Sequence, residues 1–132
     1  MLRQYRELWD RIAVIDSQLS HARFERDQLI ETFDQSLGGL RLPMRLRRRS
    51  GGLLAWRNIA KRGREQRDLD LDQYQDDLAC LPQSIRSGLL RIEKQRILIN
   101  LNFSLLQHES KQLKQAIKKI DLNTTRLESM VS

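Results

Sequence analysis

The sequence predicts a mainly α-helical protein: a long antiparallel helix pair, like a coiled-coil bundle, with a projecting basic β-hairpin and a short third helix. Apolar residues recur at alternating spacings of three and four over both ends of the 132-residue chain, the helical period. Near the middle, the period changes to two. Charged residues make up 31% and aromatic residues only 5%, which argues against a large β-sandwich. Residues 1–132 are expected to form a single domain.

Residues 1–37 are predicted to be the first long helix. Its apolar positions form a heptad seam, interrupted only by Arg26. The seam consists of Tyr5, Leu8, Ile12, Ile15, Leu19, Ala22, Leu29 and Phe33. We expect the helix to end near Gly38 and Gly39, because glycine weakens helix interiors and favours a left-handed cap.

Residues 82–130 are predicted to be a second, longer helix, with Pro82 in its first turn. This helix has a heptad seam of its own, which consists of Ile85, Leu89, Ile92, Ile99, Phe103, Leu106, Ser110, Leu113, Ile117, Ile120, Thr124 and Leu127. Residues 97–105 also alternate with polar residues as a strand would. We predict helix there, because no turn residues flank the run.

Residues 69–81 are predicted to form a short amphipathic helix, with Leu71, Tyr74, Leu78 and Leu81 on one face. Asp68, Asp70 and Asp72 have the spacing that opens a calcium loop. However, Gln73 and Ala79 occupy the sixth and twelfth positions, where such a loop needs glycine and glutamate. The acidic residues are therefore interpreted as a helix start, where they complement the helix dipole.

Residues 40–58 are predicted to form the basic hairpin. Leu40, Leu42, Met44 and Leu46 alternate with Arg41, Pro43, Arg45 and Arg47, which gives one apolar and one basic face. The turn allows two registers. A three-residue loop, Ser50–Gly52, places Leu46 opposite Trp56, whereas a turn at Gly51 and Gly52 alone places Trp56 beside Arg47. We favour the first register, because it puts Trp56 on the side that can be buried.

Positive charge is concentrated in and just after this hairpin. Residues 41–67 hold 10 basic residues and 1 acidic residue, while the whole chain has a net charge of +7. Arginine guanidinium groups bind phosphates, and a two-stranded ribbon can fit a DNA groove. No aromatic stacking platform of the RNA-binding type is visible, so double-stranded DNA is the predicted partner, contacted at its phosphates or in a groove. The predicted contacts are Arg41, Arg45, Arg47, Arg48, Arg49, Arg57, Lys61, Arg62 and Arg64. The alternative is a coiled-coil adaptor whose hairpin binds an acidic protein.

Sequence signals for catalysis are missing. No phosphate loop, nucleophile elbow or zinc spacing occurs, so we expect no enzyme, no catalytic residue, no cofactor and no metal site. His21 and His108 have no metal-type neighbour at helical spacing and are predicted to be surface or seam-flanking residues. Cys80 is predicted to be a small buried hydrophobic residue.

The expected location is the cytoplasm. The first ten residues, MLRQYRELWD, contain no apolar region of a secretory signal, and the longest apolar runs are too short to span a membrane. A single cysteine cannot form an internal disulfide.

The second seam indicates self-association. From Ile85 to Leu127 it is about 63 Å long, more than the first helix can cover, and Leu98, Leu101 and Leu105 add a second apolar stripe. We therefore expect a homodimer. Arg26 and Arg96 occupy seam positions, where a charge either selects register and partner or extends its stem to solvent at a bundle end.

Two runs of the sequence, residues 42–57 and 89–103, resemble a small helical family encoded on bacterial integrative and conjugative elements. Members of that family are sometimes labelled integrase regulators. The resemblance does not include the N-terminal helix, and its motifs are structural. It implies an accessory protein of a mobile element and adds no catalytic residue.

Overall fold

The structure is a computed structural model that describes residues 2–59, 68–69 and 71–131. Helix α1 spans Leu2–Ser36, strand β1 Met44–Arg48, strand β2 Leu54–Asn58 and strand β3 Asp68–Leu69. A 3-10 helix, Leu71–Tyr74, leads into helix α2, Gln75–Ala79, and helix α3 spans Gln83–Val131. The protein is therefore mainly helical, with an antiparallel hairpin and a short helix between two long ones, as predicted.

The chain separates into two compact units, to which α1 and α3 both contribute. We call Met1–Ala22 together with Asn102–Ser132 the helix-pair unit, and Arg23–Leu101 the hairpin unit.

In the helix-pair unit, α1 packs antiparallel on α3. Tyr5 near the start of α1 donates a hydrogen bond of 2.8 Å to Asp121, whereas Asp16 further along α1 lies 3.6 Å from Lys114. Predicted seam residues of both helices are buried in this unit: Ile12, Ile15, Leu19, Phe103, Leu106 and Ile117. The heptad interpretation is confirmed for these residues.

The hairpin unit contains a three-stranded antiparallel sheet of order β1-β2-β3. Leu46 pairs with Trp56 and Arg45 with Arg57, which confirms the predicted register. One side of the predicted projecting hairpin packs into a core with α1 and α3. There, the rings of Phe33 and Trp56 meet edge to face at 5.4 Å, beside Leu89.

The third strand corrects the predicted start of the short helix. Leu69 belongs to β3 and pairs with Trp56, so helical structure begins only at Leu71. The pairing covers part of the edge of β2 that β1 leaves open. Of the three acidic residues predicted at the helix start, Asp72 lies in the first turn of the 3-10 helix, Asp68 lies in β3 and Asp70 is outside the described residues. The acidic residues in the first turn of α2 are Asp76 and Asp77. The predicted apolar face is confirmed, since Tyr74 is in the core and Leu71, Leu78 and Leu81 pack against it.

Two local predictions were wrong. Cys80 is exposed, because it follows the last turn of α2 at a position off the face that carries Tyr74 and Leu78. The glycines after α1 do not form a left-handed cap, since among the described residues only Gly52 has a positive φ. Gly38 is needed for a different reason: a Cβ atom there would lie 2.3 Å from the carbonyl oxygen of Asp34.

Helix α3 is continuous through residues 97–105, which confirms helix over strand. Its seam is buried or half-buried up to Ile117, while Ile120 and Leu127 are exposed. None of the helices in the described ranges combines the length and apolar character that crossing a bilayer requires.

Candidate nucleic-acid interface

The hairpin turn places arginines at an exposed tip. The backbone N–H of Arg49 donates to the carbonyl of Leu53 at 2.7 Å, which closes a three-residue loop. Gly52 completes the loop with φ of 92°, a left-handed conformation that glycine adopts without strain. Arg48 and Arg49 are exposed beside this loop.

Pairing across the strands brings like charges together. Arg45 and Arg57 are directly opposite each other, and Arg47 is opposite Ala55 on the same face. Like charges in such positions destabilise a sheet unless other groups compensate them. The individual guanidinium groups make different contacts, so their charges are compensated in different ways.

Arg45 is held by the backbone that leads out of α1. Its guanidinium donates to the carbonyls of Gly38 and Leu40, each at 3.1 Å, and lies 6.0 Å from the centre of the Phe33 ring. The side chain is half-buried. Arg45 therefore donates hydrogen bonds to backbone carbonyls that follow the end of α1. Its position in the basic run of the sequence did not indicate this structural role.

Arg47 is exposed and paired with an acidic residue of α1. Its Nη1 lies 3.2 Å from a carboxylate oxygen of Asp34 and donates to the carbonyl of Leu46 at 2.7 Å. Both side chains of the ion pair are nearly half exposed, so water and salt weaken the attraction. A competing anion such as a phosphate therefore has access to Arg47.

Three of the predicted arginines line one open cleft beside α1. We call this site, of about 740 Å³, the basic cleft; its lining residues are Asp27, Ile30, Arg47, Arg48, Arg57 and Ile59. The guanidinium groups of Arg41 and Arg48 are exposed and make no hydrogen bond or ion pair within the described part of the chain. The cleft therefore combines an accessible cation at Arg48 with two neighbouring arginines.

The structure brings together only part of the predicted site. Arg47, Arg48 and Arg57 share the basic cleft, Arg49 lies at the tip, and Arg45 is directed to backbone carbonyls. The remaining predicted contacts, Lys61, Arg62 and Arg64, lie outside the described residues.

A buried polar network fixes the hairpin on α3. The indole N–H of Trp56 donates to the carboxylate of Glu93, which also accepts from Arg96 at 2.9 Å. Sequence reasoning identified Trp56 but missed Glu93. The only signal in the sequence was an acidic residue one position beyond the seam residue Ile92.

The two seam arginines both contact the hairpin. Arg96 donates to the carbonyl of Leu54 at 3.3 Å. Arg26 is 5% exposed, donates to the carbonyl of Gly52 at 3.1 Å and lies 3.1 Å from a carboxylate oxygen of Asp27. These contacts favour the register-setting interpretation over stems that extend to solvent.

The described residues contain no group of three His, Cys, Asp or Glu side chains arranged to hold a metal ion. His21 and His108 are exposed, as expected for surface residues. The arrangement at the basic cleft is suited to holding an anion by charge and hydrogen bonds.

Comparison of the chain with protein-family models, with curated proteins and with solved structures finds no match. The resemblance of residues 42–57 and 89–103 to a family of integrative and conjugative elements therefore stays a prediction.

Proposed function

We propose that this is a non-enzymatic DNA-binding protein with a regulatory or architectural role, and that the basic cleft contacts the phosphate backbone of the duplex. A bacterial cytoplasmic location and an accessory role in a mobile element are part of the proposal. The mobile-element role rests on the resemblance of residues 42–57 and 89–103 alone.

The observation that carries the proposal is the grouping of Arg47, Arg48 and Arg57 around one open cleft. Guanidinium groups present several N–H donors in a fixed fork, which matches phosphate oxygens in two-point contacts. Arg48 is exposed and makes no ion pair within the described ranges, so its charge is available to a ligand.

The packing of the hairpin limits which of its surfaces can contact DNA. The side that carries Met44, Leu46 and Trp56 is buried, so only the opposite face and the tip of the hairpin are left to contact DNA. We propose that the tip, with Arg48 and Arg49, and the adjoining cleft lie along the backbone. Contacts of this kind hold the duplex without reading bases directly.

We also propose a homodimer formed through α3. Within the hairpin unit, this helix exposes a stripe of four large apolar side chains: Leu90, Ile97, Leu98 and Leu101, each more than half exposed. A second copy of the same stripe is the simplest complement in a two-fold dimer. Light scattering should give a dimer mass for the wild type and a monomer mass for Leu98→Glu. A monomeric wild type at micromolar concentration would contradict this assignment.

A gel-shift titration with random-sequence duplex DNA tests the proposed function. We expect a shift that weakens steeply as salt is raised, because neutralised phosphates release counterions. A parallel pull-down on immobilised polyglutamate tests the adaptor alternative, since an acidic protein would also show salt dependence. Retention on polyglutamate with no shift of DNA would replace the DNA assignment with the adaptor.

A further inference from the structure

A second set of positive charges lies on α3 in the helix-pair unit, separate from the basic cleft. We call it the lysine face; its members are Lys111, Lys114, Lys118, Lys119 and Arg126, all exposed. At 3.6 residues per turn these five side chains fall within an arc of about 140°, along about 22 Å of helix. Between residues 111 and 126, no acidic residue falls within that arc, and Asp121 lies about 20° beyond its edge.

The acidic residues of the same stretch are turned toward α1. Glu109 binds Arg11 with an N···O distance of 2.8 Å, and Asp121 accepts the hydrogen bond of Tyr5. Both carboxylates therefore help to hold the helix pair, whereas only Lys114 of the lysine face forms an ion pair with α1 among the described residues.

Most of this positive charge is not compensated within the described residues. Lys114 has one partner, Asp16, at 3.6 Å, and both side chains are more than half exposed. Lys111, Lys118, Lys119 and Arg126 make no ion pair in the ranges that the structure describes. Like charges one turn apart destabilise a helix, so an external polyanion would relieve this repulsion.

The surroundings of the lysine face favour nucleic acid over a lipid surface. A helix that lies on a membrane buries an apolar face between the acyl chains. Here, the seam of α3 is covered in the helix pair, with Leu106 and Ile117 buried, and Leu122 is the one large apolar residue within the arc among the described residues. A single half-exposed leucine is too little apolar surface to hold the helix on a membrane. Lysine ammonium groups are point charges on flexible stems, suited to backbone phosphates without a fixed geometry.

We propose that the lysine face is a second, independent binding surface for the phosphate backbone of duplex DNA. The inference extends the proposed function, because it assigns the same class of ligand to a separate surface. Its contacts are sequence-independent and add to affinity without adding base recognition.

The test uses three variants of the full chain. The lysine-face variant carries Lys111→Gln, Lys118→Gln and Lys119→Gln. The hairpin variant carries Arg47→Gln, Arg48→Gln and Arg49→Gln. The control variant carries Arg3→Gln, Arg6→Gln and Arg91→Gln, which removes the same charge from exposed positions outside both surfaces. Circular dichroism establishes that each variant keeps wild-type helicity.

Duplex DNA affinity is then measured over a range of salt concentrations. For the lysine-face variant, we expect the slope of log K against log salt to decrease by about 0.9 for each phosphate that the protein no longer neutralises, beyond any change in the control. A slope equal to that of the control would overturn the inference while leaving the proposed function intact. A wild type that does not bind DNA would overturn both.

A second arm distinguishes lipid from DNA. Vesicles that contain anionic phosphatidylserine are mixed with the wild type and with the lysine-face variant. We expect no difference between the two proteins in co-sedimentation. Loss of vesicle binding in the variant, with its DNA slope unchanged from the control, would assign the lysine face to membranes and contradict the inference.

Discussion

The side-chain amide of Asn100 on α3 binds both backbone polar groups of Leu54 in β2. Its Oδ1 accepts from the Leu54 N–H at 2.8 Å, and its Nδ2 donates to the Leu54 carbonyl at 2.8 Å. Neighbouring β3 pairs only with Trp56 and Arg57, so it does not reach Leu54. The amide therefore takes the place of a strand residue and holds the hairpin on the helix.

Removing this amide should destabilise the protein. In Asn100→Ala, the buried Leu54 N–H loses its partner, while the carbonyl keeps its hydrogen bond with Arg96. We expect a loss of about 1–3 kcal/mol in the free energy of unfolding, measured by chemical denaturation. The exposed Asn102 provides a control, and Asn102→Ala should change stability by less than about 0.5 kcal/mol. Equal effects of the two substitutions would contradict the assignment.

The two tryptophans should differ sharply in their contribution to stability. Trp56 is 0% exposed and contacts Phe33 and Glu93, so Trp56→Ala should cost about 3–5 kcal/mol. Trp9 is half exposed and packs edge to face on Tyr5, so Trp9→Ala should cost less than about 1.5 kcal/mol. Denaturation midpoints of both variants test this, and a Trp56→Ala midpoint near wild type would refute the burial of the ring.

Tyr74 carries a buried hydroxyl with no hydrogen-bond partner in the described part of the chain. Tyr74→Phe removes that unsatisfied group and should stabilise the protein by about 1 kcal/mol. Tyr5→Phe, which removes the hydrogen bond to Asp121, should not stabilise it. A destabilised Tyr74→Phe variant would show that the hydroxyl has a partner.

The same residue predicts a change in stability at alkaline pH. Burial, and secondarily the charge of Asp77, raise the pKa of Tyr74 above its ordinary value of 10.0. Above that pH, the unfolded chain loses the tyrosine proton while the folded protein keeps it, so stability falls as pH rises. The stability advantage of Tyr74→Phe over wild type should therefore increase above pH 10. A constant difference would contradict the raised pKa.

Asp34 forms an ion pair with Arg47, so we expect it to compete with a DNA phosphate for that guanidinium. Asp34→Asn should release the guanidinium and raise duplex DNA affinity, with a salt slope steeper by about 0.9 if one more phosphate is neutralised. Glu31→Gln is the matched control, because it removes an exposed carboxylate whose described partner is Gln35. If both variants bind DNA equally, Asp34 does not restrain the site.

Local patterns predicted the helices and the hairpin register. The alternation around Leu46 is visible over a few positions but leaves two registers open, and the expected burial of Trp56 selected the register that the structure has. The strand β3 was not predicted, because a two-residue strand is too short to show a period. Its existence depends on the open edge of β2.

The partners of polar side chains depended on contacts far apart in the chain. Asn100 and Leu54 are separated by 46 positions, so no sequence window contains both. Arg45 and Arg48 belong to the same basic run. Only the path of the chain after α1 directs Arg45 to carbonyls and leaves Arg48 at the cleft. Composition therefore located the basic segment but did not distinguish arginines with structural contacts from those left exposed at the cleft.

The salt dependence of DNA binding by the hairpin variant tests the central claim most directly. With Arg47, Arg48 and Arg49 replaced by glutamine, helicity should stay at the wild-type level. The slope of log K against log salt should then decrease by about 0.9 for each phosphate left without its arginine, and by more than in the control variant. A folded hairpin variant with the affinity and slope of the control would contradict DNA binding through the basic cleft.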